Sequence, residues 1–271
     1  MAATRTLVIG AVAYDQKVVP IWESMREYFA EAGQPIDYVL FSNYERQVDA
    51  LFAGQIDIAW NTNLAYVRCE ERAGGACQVL GMRDTDLDFT TRLIARTGSG
   101  VTSWADLRGK RLAIGSRDSV QAAVMPLQYL REAGLEPDAD VTVVRFNTDV
   151  GKHGDTGTSE LDVLQALHEG QADAGAVGYT TWLRQLELGR VNASVVESVW
   201  TSAGYNHCNF TALPGFDADA GARFSAALLA MDGKDPRWAR LMELEGLNRW
   251  RPGEKAGYGA VFAATGIPSP K

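Results

Sequence analysis

One eleven-residue pattern occurs twice in this chain, 116 positions apart. Residues 50–60 read ALFAGQIDIAW and residues 166–176 read ALHEGQADAGA. In both copies an apolar helix end leads to a glycine, Gly54 or Gly170, and then to an apolar run typical of a short buried strand. Glycine suits the left-handed position that ends many helices. Each copy therefore predicts a helix, a tight turn and a strand.

Each copy is also preceded by a strand-like segment that ends in glycine. Leu7–Gly10 precedes the first copy and Leu112–Gly115 precedes the second. Chance similarity is the alternative, because leucine, alanine and glycine are common residues. A repeated order of strands and helices predicts an α/β fold of two similar lobes with mixed, largely parallel sheets. Clefts between domains commonly bind small ligands, so we expect an interlobe cleft.

The two lobes are not separated by a long linker rich in proline, serine or glycine. Strand-like segments at 90–95 and 199–207 are therefore the expected crossings between them. We predict that residues 1–92 and 200–271 together form lobe 1. Residues 93–199 would then form lobe 2 as an insertion.

Charge and composition exclude some partners. The chain of 271 residues has 26 basic and 34 acidic side chains, a net charge of −8. An acidic chain is a poor partner for nucleic acid or an anionic membrane. No apolar run approaches the roughly 20 residues that span a bilayer.

The expected location depends on the start of the chain and on its cysteines. The first residues lack the pattern of a signal peptide, and three cysteines cannot all pair, which favours a reducing compartment. We expect the sequence as written to be cytoplasmic, and periplasmic or at the cell surface if a signal was removed.

Polar residues follow four of the predicted strands, two in each lobe. In open α/β sheets, ligands bind beyond the carboxyl ends of strands and beside helix N-termini. The candidate ligand-binding residues are Tyr14, Trp60, Asn61, Thr62, Ser116, Asp118, Ser119, His153, Thr156, Thr158, Ser159, Tyr179 and His207. The three aromatic residues among them either stack on a ligand or pack in the core.

The segment 147–159 is the most distinctive of these polar regions, because its thirteen residues are almost without apolar side chains. Its backbone groups need solvent or a ligand as partners. We expect Thr158 to cap the following helix and His153 to hydrogen-bond the ligand, which would make binding depend on pH. A mobile surface loop is the alternative.

We predict no metal site. His153, His207 and Cys208 match no zinc-ligand spacing. Arg83–Asp88 alternates acidic residues but lacks the glycine and the last glutamate of a calcium loop, so it predicts a solvated hairpin turn. No GxGxxG, P-loop or GxSxG motif is present, and the cofactor is left unassigned.

Several of these segments resemble one family, the phosphate/phosphite/phosphonate-type solute-binding proteins of ABC importers. The resemblance covers roughly residues 6–250 and is carried by Ile56–Ala65, by Ser103–Ser116 with Asp118, Ser119 and Pro126 after it, and by Val199–Ser202. It implies the type 2 periplasmic-binding-protein fold, which closes on a small molecule. It also implies an ABC transporter permease as a possible partner.

The sequence departs from that family at one important point. The family typically has Ser-Thr-Ser-Gly at the start of the first helix of lobe 2, where hydroxyls and amides bind the oxyanion. Here Ser119-Val120-Gln121-Ala122 occupies the position, so only Ser119 keeps its hydroxyl.

The function predicted from the sequence is the binding of a small polar, anionic molecule by a solute-binding protein. Two alternatives stay open: a cytoplasmic enzyme on the same scaffold, acting on a small metabolite, and a ligand sensor. Whether the chain is an enzyme is left open by the sequence.

Overall fold

A computed structural model describes residues 4–270 of the chain. The chain folds into two compact units. Unit 1 combines the residues up to Asp88 with those from Tyr205 onward, and unit 2 consists of Phe89–Gly204. The lobe boundaries expected from the sequence, 1–92 with 200–271 and 93–199, stay a prediction.

The strands and helices alternate through most of the chain. The strands are β1 (Leu7–Val12), β2 (Ile36–Phe41), β3 (Ile58–Asn61), β4 (Gln78–Arg83), β5 (Thr91–Arg96), β6 (Arg111–Ile114), β7 (Thr142–Arg145), β8 (Ala174–Gly178), β9 (Val196–Thr201), β10 (Asn209–Ala212) and β11 (Trp250–Arg251). The α-helices are α1 (Val18–Glu31), α2 (Tyr44–Phe52), α3 (Asn63–Arg72), α4 (Met125–Glu132), α5 (Thr158–His168), α6 (Tyr179–Glu187), α7 (Ala218–Leu229), α8 (Pro236–Glu245) and α9 (Gly259–Thr265). None of the helices in the described range is long and apolar enough to cross a membrane.

The two units contain sheets of matching order. In unit 1 the order is β2-β1-β3-β10-β4-β11, and in unit 2 it is β7-β6-β8-β5-β9. The first five strands of each sheet correspond one to one, and β11 is an additional edge strand of unit 1. In unit 1, β1 lies between parallel neighbours β2 and β3, and β10 pairs antiparallel with β3. In unit 2, β6 lies between parallel neighbours β7 and β8, and β5 pairs antiparallel with β8. The repeated sequence pattern therefore corresponds to a repeated arrangement of strands.

The two glycines of the repeat occupy equivalent positions. Gly54 (φ 68°) follows α2 and Gly170 (φ 73°) follows α5. In each copy the glycine N–H and the next N–H donate to carbonyls of the last helical turn, at 2.8–3.2 Å. A positive φ is cheap only for glycine, which explains why both copies carry it before β3 and β8.

Each unit has its own apolar core. In unit 1, α1, α7 and α8 pack Phe29, Phe224 and Trp238 against the sheet. In unit 2, one cluster contains Trp104 and Leu130, and a second contains Leu167 and other residues of α5 and α6. These cores fix the strand ends, and in unit 2 the polar residues beyond the ends of β6 and β7 form the candidate site.

Two local predictions are wrong. Thr158 does not cap α5: Gly157 precedes the helix with φ 67°, and Thr158 is its first residue. The segment 83–88 is not a solvated hairpin turn, because it contains a 3₁₀ turn at Asp84–Asp86 and Asp86 is buried. The expected cap at Ser103 is present, since its side chain and that of Asp106 form a capping box.

Candidate ligand-binding site

The helical run after β6 begins at Ser119. The Ser119 hydroxyl accepts a hydrogen bond from Ala122 N (3.3 Å), and its carbonyl accepts from both Ala123 N and Val124 N at 3.0 Å. The first turn, Val120–Val124, is π-helical and continues into α4. The first N–H groups of a helix have no partner within the helix, and the helix dipole makes this end attractive to anions.

The segment 147–159 is folded against this helix start. The Asp149 carboxylate accepts hydrogen bonds from the Ser116 hydroxyl and from the Thr156 hydroxyl (2.5 Å), and Ser159 N lies 3.5 Å away. Asp149 and His153 are almost completely buried. These contacts support an ordered loop in place of the mobile surface loop that the sequence left as an alternative.

Asp118, the residue before Ser119, contacts the same loop. One of its carboxylate oxygens, Oδ2, accepts a hydrogen bond from Gly151 N (2.5 Å). A carboxylate oxygen of Asp118 and a ring nitrogen of His153 lie within 4.8 Å of each other. His153 adopts a positive φ of 53°, which is uncommon for a residue other than glycine.

Gly154 allows the loop to approach the helix start closely. Its φ is +84°, and a Cβ placed there would lie 2.5 Å from the Ser119 hydroxyl oxygen and 2.8 Å from Gln121 Nε2. Any side chain at this position would therefore clash with two polar groups of the first helical turn. The segment from Gly151 to Gly154 thus runs from Asp118 to Ser119 and Gln121.

Behind the helix start, Gln121 is held by Glu160. Gln121 Nε2 donates to Glu160 Oε1 (3.0 Å), and Gly178 N donates to Glu160 Oε2 (2.8 Å). Burial raises the pKa of Glu160 above its ordinary value, although hydrogen bonds from Gln121, Gly178 and Thr181 oppose the rise. This network joins the first helical turn, α5 and the end of β8.

Three buried polar atoms at this place have no hydrogen-bond partner among the described residues. They are Asp118 Oδ1, Gln121 Oε1 and Ser159 Oγ. Buried polar groups almost always have a partner in the protein or in bound solvent or ligand. Together with the positive end of the helix dipole, these atoms indicate a site for a small polar ligand.

The candidate residues of unit 1 have partners of their own. Trp60 is 5% exposed, and its ring lies 4.5 Å from that of Phe210. Asn61 Oδ1 accepts from Gln47 Nε2 (2.8 Å), and the Thr62 hydroxyl caps α3. These contacts give each residue a structural role within unit 1, and a contact with ligand stays a prediction for all three.

The remaining candidates are two aromatic residues and one histidine. Tyr14 is partly buried against the core of unit 1. Tyr179 begins α6, and its ring packs against Phe89 of the same unit with centroids 4.9 Å apart. His207 is buried, and its Nδ1 lies 3.7 Å from Asp86 Oδ1. Ligand contact stays a prediction for these residues as well.

Asp86, His207 and Cys208 bring potential metal-binding atoms within 4.8 Å of one another. Arg83, however, already binds both oxygens of Asp86, through Nε (2.8 Å) and Nη2 (2.7 Å). The guanidinium therefore supplies the positive charge that a metal ion would bring. We interpret this cluster as a buried ion pair.

Comparison with known proteins assigns the fold and the family. A family model described as "ABC transporter, phosphonate, periplasmic substrate-binding protein" matches residues 9–258. A curated relative from Prochlorococcus marinus, named "Probable ABC transporter phosphite binding protein PhnD1", is 21% identical over 268 residues, which are 94% of this chain and 86% of the relative.

Solved structures agree with this match. PhnD1 of Prochlorococcus marinus in complex with methylphosphonate has a TM-score of 0.73 at 18% identity and covers 96% of each chain. XAC2383 of Xanthomonas citri bound to ATP also scores 0.73, at 20% identity, with 97% of this chain and 96% of that chain covered. The aliphatic sulphonate binding protein SsuA of Escherichia coli scores 0.59 at 19% identity over 98% and 84%.

The fold is that of the type 2 periplasmic binding proteins. The chain belongs to the phosphonate-type periplasmic substrate-binding proteins of ABC transporters. It is a solute-binding protein, and the family implies a small-molecule ligand, a transporter partner and a periplasmic location. The comparisons give no support to the enzyme alternative.

Sequence reasoning missed Asp149, Gln121, Gly154 and Glu160. Asp149 and Gly154 lie within the polar segment that was singled out, but nothing in the sequence distinguishes them from their neighbours. Gln121 occupies a position where the family typically has a small hydroxyl residue, and that difference was a usable signal. Glu160 looks like an ordinary first-turn acid, and only its burial shows otherwise.

Proposed function

We propose that this protein is the substrate-binding component of an ABC importer for a small organic oxyanion of the phosphonate class. Its unit 2 binds the oxyanion head group at the helix start that follows Ser119. The observation that carries the proposal is the combination of a capped helix start with buried polar atoms that lack partners beside it. Helix N-termini bind phosphate-like anions through free amides and the helix dipole.

The Ser119 hydroxyl is suited to this role. Its oxygen accepts from Ala122 N, which leaves the hydroxyl proton for donation to a ligand. Gly154 lies beside both the Ser119 hydroxyl and the Gln121 side chain. In this proposal Ser159, Thr156 and the ordered loop that contains His153 complete the polar lining. In this proposal Ser116 orders the loop through its hydrogen bonds with Asp149, while Ser119 contacts the ligand.

The names of the relatives support the choice of ligand class. PhnD1 of Prochlorococcus marinus is called a phosphite binding protein, and its solved structure contains methylphosphonate. In this proposal the protein works in the periplasm and delivers its ligand to a transporter permease. Native mass spectrometry of the protein purified from its source would identify a copurified ligand.

The decisive test is calorimetric titration of the wild-type protein with methylphosphonate, phosphite and methanesulfonate. We expect methylphosphonate or phosphite to bind, with methanesulfonate as the sulfonate comparison, and we expect Ser119→Ala to weaken that binding by about 1–2 kcal/mol, roughly 5- to 30-fold. Ser103→Ala is the matched control, because Ser103 also caps a short helix of unit 2. No binding of methylphosphonate or phosphite, or an equal loss of affinity in Ser119→Ala and Ser103→Ala, would contradict the proposal.

A further inference from the structure

The two carboxylate oxygens of Asp118 have different environments. Asp118 is 7% exposed, and its Oδ2 accepts the hydrogen bond from Gly151 N at 2.5 Å. Its Oδ1 is buried and has no hydrogen-bond partner in the described part of the chain. A buried charged acceptor without a partner is costly. A ligand that donates a hydrogen bond to this oxygen removes that cost.

Asp118 lies beside the proposed oxyanion position. It directly precedes Ser119, so the two residues are about 3.8 Å apart along the backbone. The loop that donates to Asp118 at Gly151 reaches Ser119 and Gln121 three residues later, at Gly154. The segment Gly151–Gly154 therefore contacts both the Asp118 carboxylate and the helix start.

This arrangement imposes a condition on the ligand. The N-terminal end of the helix favours an anion, whereas the neighbouring carboxylate repels one. An ionised carboxylate is only an acceptor, so an anion that carries its own O–H group satisfies both requirements. A phosphonate monoanion has such a group, but a phosphonate dianion and a sulfonate do not.

We propose that Asp118 is the specificity-determining residue of this site and selects a singly protonated phosphonate over the dianion and over sulfonates. The protonated oxygen donates to Asp118 Oδ1, and the other two oxygens accept from the helix start. This inference rests on the proposed function, because it requires an oxyanion at Ser119.

Other titratable groups of unit 2 lie close enough to affect a pH profile. His153 is within 4.8 Å of Asp118, and Asp149 shares the loop. Glu160 is connected through Gln121, Lys152 lies next to Gly151, and Arg117 is exposed. The test must therefore separate ionisation of the ligand from ionisation of the protein.

Two probes achieve this separation. Methylphosphonate loses its second proton near neutral pH, whereas methanesulfonate stays a monoanion throughout. The ratio of their dissociation constants therefore follows ligand ionisation and cancels much of the effect of protein groups. We would measure both constants by calorimetry from pH 5.5 to 8.5.

For the wild-type protein we expect methylphosphonate to bind more tightly at low pH. Its affinity relative to that of methanesulfonate should fall about tenfold per pH unit once its second proton is lost. In Asp118→Asn the amide oxygen still accepts from Gly151 N, but Nδ2 replaces the unpartnered acceptor with a donor. We expect this variant to lose the pH-dependent advantage and to bind methanesulfonate at least tenfold more tightly.

Asp138→Asn is the matched control, because Asp138 is an exposed carboxylate of the same unit whose partner is Arg145. It should behave like the wild type. If the affinity for methylphosphonate relative to methanesulfonate is constant or increases with pH, the role of Asp118 is overturned while the proposed function stands. Binding of methanesulfonate alone overturns both. Failure of the wild type to bind either probe or phosphite overturns both. If Asp118→Asn does not fold, the pH dependence of the wild-type affinities for the two probes still tests the proposal.

Discussion

Replacement of Asp86 by asparagine tests how strongly a buried ion pair stabilises unit 1. The Asp86 side chain is 1% exposed and the Arg83 side chain 17%. Asp86 binds two nitrogens of the Arg83 guanidinium and also accepts from Cys208 N (3.1 Å). Asparagine keeps the shape but removes the charge, so the guanidinium is left with Glu245 as its charged partner at 3.3 Å.

We expect Asp86→Asn to lower the free energy of unfolding by about 3 kcal/mol. Removing one partner of a buried ion pair typically costs about 3–5 kcal/mol, and the remaining Glu245 places this case at the lower end. The pKa of Asp86 agrees in direction: burial raises it, but the charge and hydrogen bonds of Arg83 outweigh burial and lower it from 3.8 to about 2.

The sign of the pH dependence follows from this lowered pKa. The contribution of Asp86 is present above its unfolded-state pKa of 3.8 and is lost as the pH falls through about 2. The stability difference between the wild type and Asp86→Asn should therefore be constant from neutral pH down to mildly acidic pH and shrink below that.

Urea unfolding followed by tryptophan fluorescence measures the effect, since the Trp60 ring lies 5.2 Å from the Arg83 guanidinium. Asp49→Asn is the control: Asp49 pairs with Arg72 at 2.9 Å, but the two side chains are 76% and 49% exposed. An exposed pair contributes about 0–1 kcal/mol. If Asp86→Asn and Asp49→Asn lower the free energy of unfolding by the same amount, the assignment of Asp86 as a strong buried partner is refuted.

Two further substitutions test the site in unit 2. Gly154→Ala should destabilise the protein by about 1–3 kcal/mol and weaken ligand binding, because it combines a strained φ with a clash against Ser119 and Gln121. Gly98→Ala has a similar φ of +79° with nothing within 4 Å, so a melting temperature and affinity equal to those of Gly154→Ala would rule out the clash. Glu160→Gln should flatten the pH dependence of the melting temperature: burial raises the pKa of Glu160, so wild-type stability falls as the pH rises through that pKa. Parallel profiles for wild type and variant between about pH 4.5 and 8 would contradict this expectation.

The sequence determined the fold class through local signals. The duplicated glycine-terminated helix and the strand after it depend on residues close in sequence, and both copies appear as α2–β3 and α5–β8. The family resemblance is also local, because it is carried by short segments. Ser119 was identified from the sequence alone because a helix cap is determined by its neighbours along the chain.

The tertiary structure decided what surrounds Ser119. Gly154 and Glu160 lie 35 and 41 residues further along the chain, and the sheet order of unit 2 brings them to the same helix start. Similarly, Arg83–Asp88 resembles a solvated turn in sequence, yet Cys208 N binds the buried Asp86 from 122 residues away. Burial and long-range hydrogen bonding depend on which strands become neighbours, and local sequence does not encode that information.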